Sequence, residues 1–183
     1  MLSELEPQML DEVRDLNLKL FRKSLPLESF LKLEKVTHSH RCRLDSGFLY
    51  FSFKGPDGNF ISSWRAEEAK HPKASLNFLF AILLSKLAEF TMAYSGKPAN
   101  LLPVKLPDMQ KGMDKSYHDK LAGLGKAYQV TKADVAGAIT EEAKETASAE
   151  LTRIEKGINR ETARYYGLTK RETKLLKTVM QYG

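Results

Sequence analysis

The sequence predicts an α+β protein: a small three-stranded antiparallel sheet packed on a long buried helix, with a helical C-terminal half. Three observations carry that expectation. Residues 75–95 (SLNFLFAILLSKLAEFTMAYS) place apolar side chains on nearly every side of a 3.6-residue wheel, as a helix covered on most faces must. Residues 36–64 alternate apolar and polar side chains, and are punctuated by Asp45-Ser46-Gly47 and Gly55-Pro56-Asp57-Gly58, the pattern of strands joined by tight turns. From residue 116 onward, apolar residues recur at helical spacing. The expected layout is residues 1–100 as N-terminal helix, meander and core helix, 101–115 as linker, and 116–183 as a helical region with a basic end.

The first helix is expected over residues 4–22. Ser3-Glu4-Leu5-Glu6 forms a capping box, and Leu5, Met9, Val13, Leu16 and Leu20 make one stripe. Pro26 begins a short helix holding Phe30, Leu31 and Leu33. In the first strand Val36, His38, His40, Cys42 and Leu44 share one face, and Thr37, Ser39, Arg41 and Arg43 share the other. Residues 48–54 (FLYFSFK) form the second strand and 59–64 the third, with a helical link over 65–70. The core helix is read as one continuous element, capped by Ser75 and stopped by Gly96-Lys97-Pro98. Lys86 and Glu89 interrupt it too early for a membrane span.

Pro103, Pro107 and Gly112 mark residues 101–113 as a loop. A helix over 116–128 carries Tyr117, Leu121, Leu124 and Tyr128. Thr131 then caps a long alanine-rich helix, striped by Val135, Ile139, Ala143, Ala147, Leu151 and Ile154 and ended by Gly157. A short helix over 161–166 and the turn Gly167-Leu168 lead to a final helix over 170–182. Thr169 and Glu172 form its capping box.

Composition narrows the function classes. Hydrophobic residues make up 42% and charged residues 28% of 183, ordinary for a soluble globular chain. A single cysteine excludes an internal disulfide framework and any multi-cysteine zinc module, and fits a reducing cytoplasm. No secretory signal is visible. Net charge is +6, unevenly spread: residues 31–75 carry a net +3 and residues 151–183 a net +5. Clustered basic charge is the footprint of a nucleic-acid binder, or else a solvated basic surface.

Two segments could contact DNA. On the ribbon, Thr37, Ser39, Arg41 and Arg43, with Lys54 and Arg65 nearby, could reach base edges or phosphates in a major groove. The alternative is the solvent face of a half-buried sheet. In the C-terminal segment, Ala163 and Gly167 have the spacing of a small residue and a turn glycine between two helices. Arg160, Arg164, Lys170, Arg171, Lys174 and Lys177 would then face phosphates. A plain basic helix and a structural helix are the alternatives.

The stretch FKGPDGNFISSWRAEEAKHPKASLN resembles the AP2 and integrase amino-terminal domains, in which three short strands precede a helix. It lacks their long helical spacer. The order of strand, short helix and buried helix ending at Gly96-Lys97-Pro98 resembles ribbon-helix-helix repressors. That resemblance implies an obligate dimer, although the repressor fold has one strand per subunit.

His38-x-His40-x-Cys42 would place three ligating side chains on one strand face, but that is also the inward face. No phosphate loop, nucleophile elbow or nucleotide-binding fingerprint is present. Tyr165-Tyr166 beside Arg164 could imitate a nucleophilic tyrosine, and packing is the alternative. The expectation is a non-enzymatic, sequence-specific regulator that binds double-stranded DNA as a homodimer in the cytoplasm, without cofactor, metal or membrane. The competing expectation is an accessory or inhibitory factor that docks on a protein partner through helix 1 and the alanine-rich helix.

Overall fold

A serine sets the architecture. In the computed structural model the apolar stretch is two helices, α2 (Leu76–Leu84) and α3 (Lys86–Tyr94), bent by 64° at Ser85. Ser85 is extended (ψ 151°). Its Oγ accepts from the Ala88 N–H at 3.2 Å and donates to the Ile82 carbonyl at 2.6 Å. One short polar side chain thus ends the first helix and starts the second. Residues 78–83 are at most 2% exposed. The continuous core helix is corrected to this bent pair.

The structure describes residues 5–22, 24–37, 42–45, 47–54, 60–67, 74–97 and 99–181. The Ser3 capping box lies outside them. Helix α1 spans Pro7–Arg22 and buries Val13, Leu16 and Leu20, the expected stripe. Residues 25–31 do not form the expected helix around Phe30 and Leu33. Strand β1 (Leu25–Pro26) leads to a single 3-10 turn at Leu27–Ser29, and Leu33 lies in β2 (Lys32–Lys35).

Strands β3 (Cys42–Asp45), β4 (Phe48–Lys54) and β5 (Phe60–Glu67) form the expected antiparallel meander. The sheet has four strands, in the order β2-β5-β4-β3, because β2 pairs with the far edge of β5. That pairing explains a second correction. Residues 65–67 continue the third strand, since Lys32↔Glu67, Leu33↔Ala66 and Glu34↔Arg65 give them ladder partners. One sheet face is apolar and packs on α2 and α3: Leu49, Phe51, Phe53 and Ala66 are at most 2% exposed.

The expected linker is ordered. A 3-10 turn at Ala99–Leu101 precedes β6 (Pro103–Val104), which pairs with β1. Helix α4 then runs over Gly112–Gly137 and α5 over Glu141–Tyr165. Thr131 is buried inside α4 rather than capping a helix, and Thr140 is the cap, accepting from the Ala143 N–H at 3.2 Å. Gly157 does not end α5. It lets α5 lie close to α4, where a Cβ would sit 3.3 Å from Leu124. The short helix over 161–166 is therefore the end of α5.

Helix α6 (Lys170–Gln181) begins with the expected capping box: Thr169 Oγ1 accepts from the Glu172 N–H at 3.1 Å, and Glu172 accepts from the Thr169 N–H at 2.7 Å. Two apolar clusters result. The sheet, α2, α4, α5 and one side of α3 (Ala88, Met92) share one, and α1, α6 and the other side of α3 (Leu87, Phe90, Tyr94) share the other. Among the described residues no single helix is long and apolar enough to cross a membrane.

Candidate nucleic-acid interface

The end of α5 is clamped in place before it reaches the basic segment. Tyr165 Oη donates to the Lys105 carbonyl at 2.7 Å, and Tyr166 Oη donates to the Pro103 carbonyl at 2.9 Å. Lys105 returns the contact, donating from Nζ to the Tyr165 carbonyl at 3.1 Å with its ammonium 4.6 Å from the Tyr165 ring centre. Burial pushes both phenols above the ordinary tyrosine range, most strongly Tyr165. Both rings pack against the apolar core, Tyr165 edge-on to Phe78.

The turn that follows has a Schellman geometry. Gly167 has φ +65°, its N–H donates to the Arg164 carbonyl at 3.0 Å, and the Leu168 N–H donates to the Ala163 carbonyl at 2.9 Å. A positive φ is what glycine permits cheaply. The expected turn is present, but α6 packs chiefly on α3 and α1 through Leu175, Leu176 and Val179. Close approach of two helices at Ala163 is therefore not what holds the unit together. Lys19 of α1 fixes the turn instead, donating to both Glu172 oxygens at 2.9 and 2.8 Å and to the Gly167 carbonyl at 3.2 Å. Burial raises the Glu172 carboxyl, but the Lys19 ammonium and the Thr169 hydrogen bonds outweigh it and hold it below the usual range.

The basic residues fall into three groups. Arg160 and Arg164 stand one turn apart on α5 and both donate to Oε1 of Glu161, at 3.0 and 3.2 Å. Glu161 is 4% exposed and its Oε2 has no partner, whereas both arginines are largely exposed. Arg171 pairs with Glu12 of α1. Lys170, Lys174 and Lys177 lie at i, i+4 and i+7 on the exposed side of α6, and no described acidic side chain lies within ion-pair distance of them. They form a stripe of basic charge without a described acidic partner, on a helix packed from behind against α1 and α3.

The ribbon residues are less concentrated. Thr37 is exposed just past β2, Arg43 is exposed on β3, and Lys54 ends β4. Ser39 and Arg41 lie outside the described residues. Arg65 is paired with Glu34. Cys42 is half-buried on the inward face, and His38 and His40 lie outside the described residues. Among the described residues no group of three His, Cys, Asp or Glu could hold a metal ion.

Phe48 and Tyr50 were not singled out in the sequence, although alternation in FLYFSFK places them opposite Leu49, Phe51 and Phe53. Glu12 reaches Arg171 across 159 positions and Lys19 reaches Glu172 across 153, and no local signal points to either pairing, whereas Glu161 stands one and three positions from Arg160 and Arg164. No family model, curated protein or solved structure matches this chain.

Proposed function

We propose that this protein binds double-stranded DNA through α6 and the end of α5, and acts as a transcription regulator. The observation that carries the reading is the stripe of Lys170, Lys174 and Lys177, which has no acidic counterweight among the described residues. A solvated surface helix generally interleaves its lysines with acids, and phosphates would supply the missing partners. Arg160 and Arg164 extend the charge onto the preceding helix. Sequence choice would rest on Arg171, in the first turn of α6. Its side chain is 76% exposed despite the pair with Glu12, and a guanidinium matches a guanine edge bidentately. The reading needs no second copy, and the apolar side chains at residues 78–83 are covered within the chain.

The test is fluorescence anisotropy of duplex DNA across a salt series. Lys170→Glu, Lys174→Glu and Lys177→Glu together should make the log–log salt slope shallower by about 2.7, the loss of three phosphate contacts at about 0.9 each. An unchanged slope would sink the reading.

A second reading has its own observation. At the far end of the α4–α5 hairpin, Ile139 is 99% and Val130 56% exposed, beside a groove bearing Asp134, Glu142 and Glu150. Such a tip suits a protein partner with a basic, apolar surface, as an accessory factor would have. Val130→Asp with Ile139→Asp should abolish that docking and leave duplex binding alone.

A further inference from the structure

The outer face of the four-stranded sheet carries one row that crosses every strand in register: Glu34 on β2, Arg65 on β5, Tyr50 on β4 and Arg43 on β3. The Arg43 guanidinium lies 4.8 Å from the Tyr50 ring centre, and that of Arg65 lies 5.0 Å from the Phe48 ring centre. Phe48 and Tyr50 are two residues apart on β4 and so share the outer face. Arg43 is exposed, and both rings are half-buried. Ser52, the next outward residue on β4, is fully buried, so the open part of the face is confined to the rows of Tyr50 and Phe48. Two ring-and-guanidinium pairs therefore stand side by side toward one end of the sheet, with Phe48 the first residue of β4 and Arg43 on the edge strand β3.

A guanidinium laid against a ring is held by cation–π attraction and presents its other plane outward. Unpaired bases stack on such planes and on aromatic rings. Glu34 already pairs with Arg65, so Arg43 is the guanidinium left to meet a neighbouring phosphate. Duplex DNA does not suit this face. Four strands at about 4.8 Å spacing span roughly 14 Å of backbone, and a major groove about 12 Å wide admits a helix or a two-stranded ribbon. A single strand can lie flat across it.

We infer that the outer face of the sheet binds a single nucleic-acid strand by stacking unpaired bases on the Arg43–Tyr50 and Arg65–Phe48 pairs. This site shares the ligand class of the duplex proposal but occupies a different surface, so either can fail alone. The test uses the full chain and a labelled single-stranded oligothymidylate. Arg43→Lys keeps the charge and removes the plane. It should weaken binding about tenfold without changing the salt slope, and leave duplex affinity unaltered. Tyr50→Leu, checked for folding by circular dichroism, should do the same. The triple α6 lysine variant should bind the oligothymidylate as the wild type does. The inference is overturned if the wild type does not bind it, or if Arg43→Lys binds as tightly as the wild type. If only Arg43→Glu weakens binding, the contact is charge alone and the stacking site is likewise rejected.

Discussion

Asn159 Oδ1 accepts the backbone N–H of Lys86 at 2.7 Å, so a side chain from α5 caps the first residue of α3. Ser85 satisfies the Ala88 N–H of the same turn. The 64° bend thus has a partner from its own element and one from a helix 73 residues away in sequence. The bend turns α3 toward α1 and α6, which makes this contact a hinge point between the two apolar clusters.

Removing that cap should loosen the bend. Asn159→Ala is expected to cost about 1 kcal/mol, the usual worth of a helix cap, and to lower the melting temperature by about 2–4 °C. Asn159→Asp keeps an acceptor at a helix N-terminus and should melt close to the wild type. Equal losses in the two variants would show that packing rather than the hydrogen bond is at work.

Two glycines two residues apart on α4 should respond with opposite sign. A Cβ on Gly125 would lie 2.4 Å from the Asn77 carbonyl oxygen, a backbone atom that cannot swing aside. Gly125→Ala should therefore push α4 off α2 and cost about 2–3 kcal/mol. Gly123 has nothing within 4 Å, and Gly123→Ala should stabilise the helix by about 0.5–1 kcal/mol. Thermal melts of the two variants decide the point.

Local signals in the sequence specified more of the fold than long-range ones could. The stripe of α1, the strand FLYFSFK and the Thr169–Glu172 capping box were legible because each depends on neighbours within a few residues. β2 was not, because KLEK has no strand signal until β5 lies beside it. Thr131 and Gly157 read as a helix start and a helix end, yet each is a point of close packing whose reason sits on another helix or in its own buried surroundings. The basic stripe of α6 was legible from spacing. Which charges remain unpaired was not, because Glu12 reaches Arg171 across 159 positions.

Acid should weaken the α1–α6 junction. The Glu172 carboxyl is held below its ordinary range, so its contribution to stability is present above the unfolded value near 4.3. It is lost as pH falls through the lower, folded value. Lys19→Met removes the ammonium that opposes burial. The wild type should lose more stability than this variant between pH 5 and pH 3 (roughly the range over which a carboxylate titrates), by up to about 1 kcal/mol at this part-exposed pair. Denaturant midpoints measured across that range give the comparison.

Alkali should reveal two late phenols. Tyr165 and Tyr166 are both pushed above the ordinary range by burial. Their folded values exceed the unfolded value near 10, so their stabilisation is complete below that pH and falls away above it. Phenolate absorbance should rise in two stages, the second coinciding with unfolding. Tyr165→Phe with Tyr166→Phe should shrink the second stage by the absorbance of two phenolates. A single smooth titration in the wild type would contradict the burial of this pair.

Arg160 and Arg164 hold a buried charge and also stand at the proposed interface, so their two roles must be separated. Replacing both by alanine leaves Glu161 buried with neither of its arginine partners, at a cost of about 2 kcal/mol after allowing for the exposure of the arginines. A loss of DNA binding in that variant would therefore be ambiguous. Glu161→Gln resolves it. The substitution removes the buried charge, leaves the fold intact and releases both guanidinium groups toward solvent. Duplex affinity should then rise, and the salt slope should steepen by up to about 1.8, since two arginines become free to replace counterions. Adding Arg160→Ala and Arg164→Ala to Glu161→Gln should fold like the single variant and return the slope to or below the wild-type value. If Glu161→Gln folds but its slope is unchanged, these arginines serve Glu161 alone, and the interface is confined to α6.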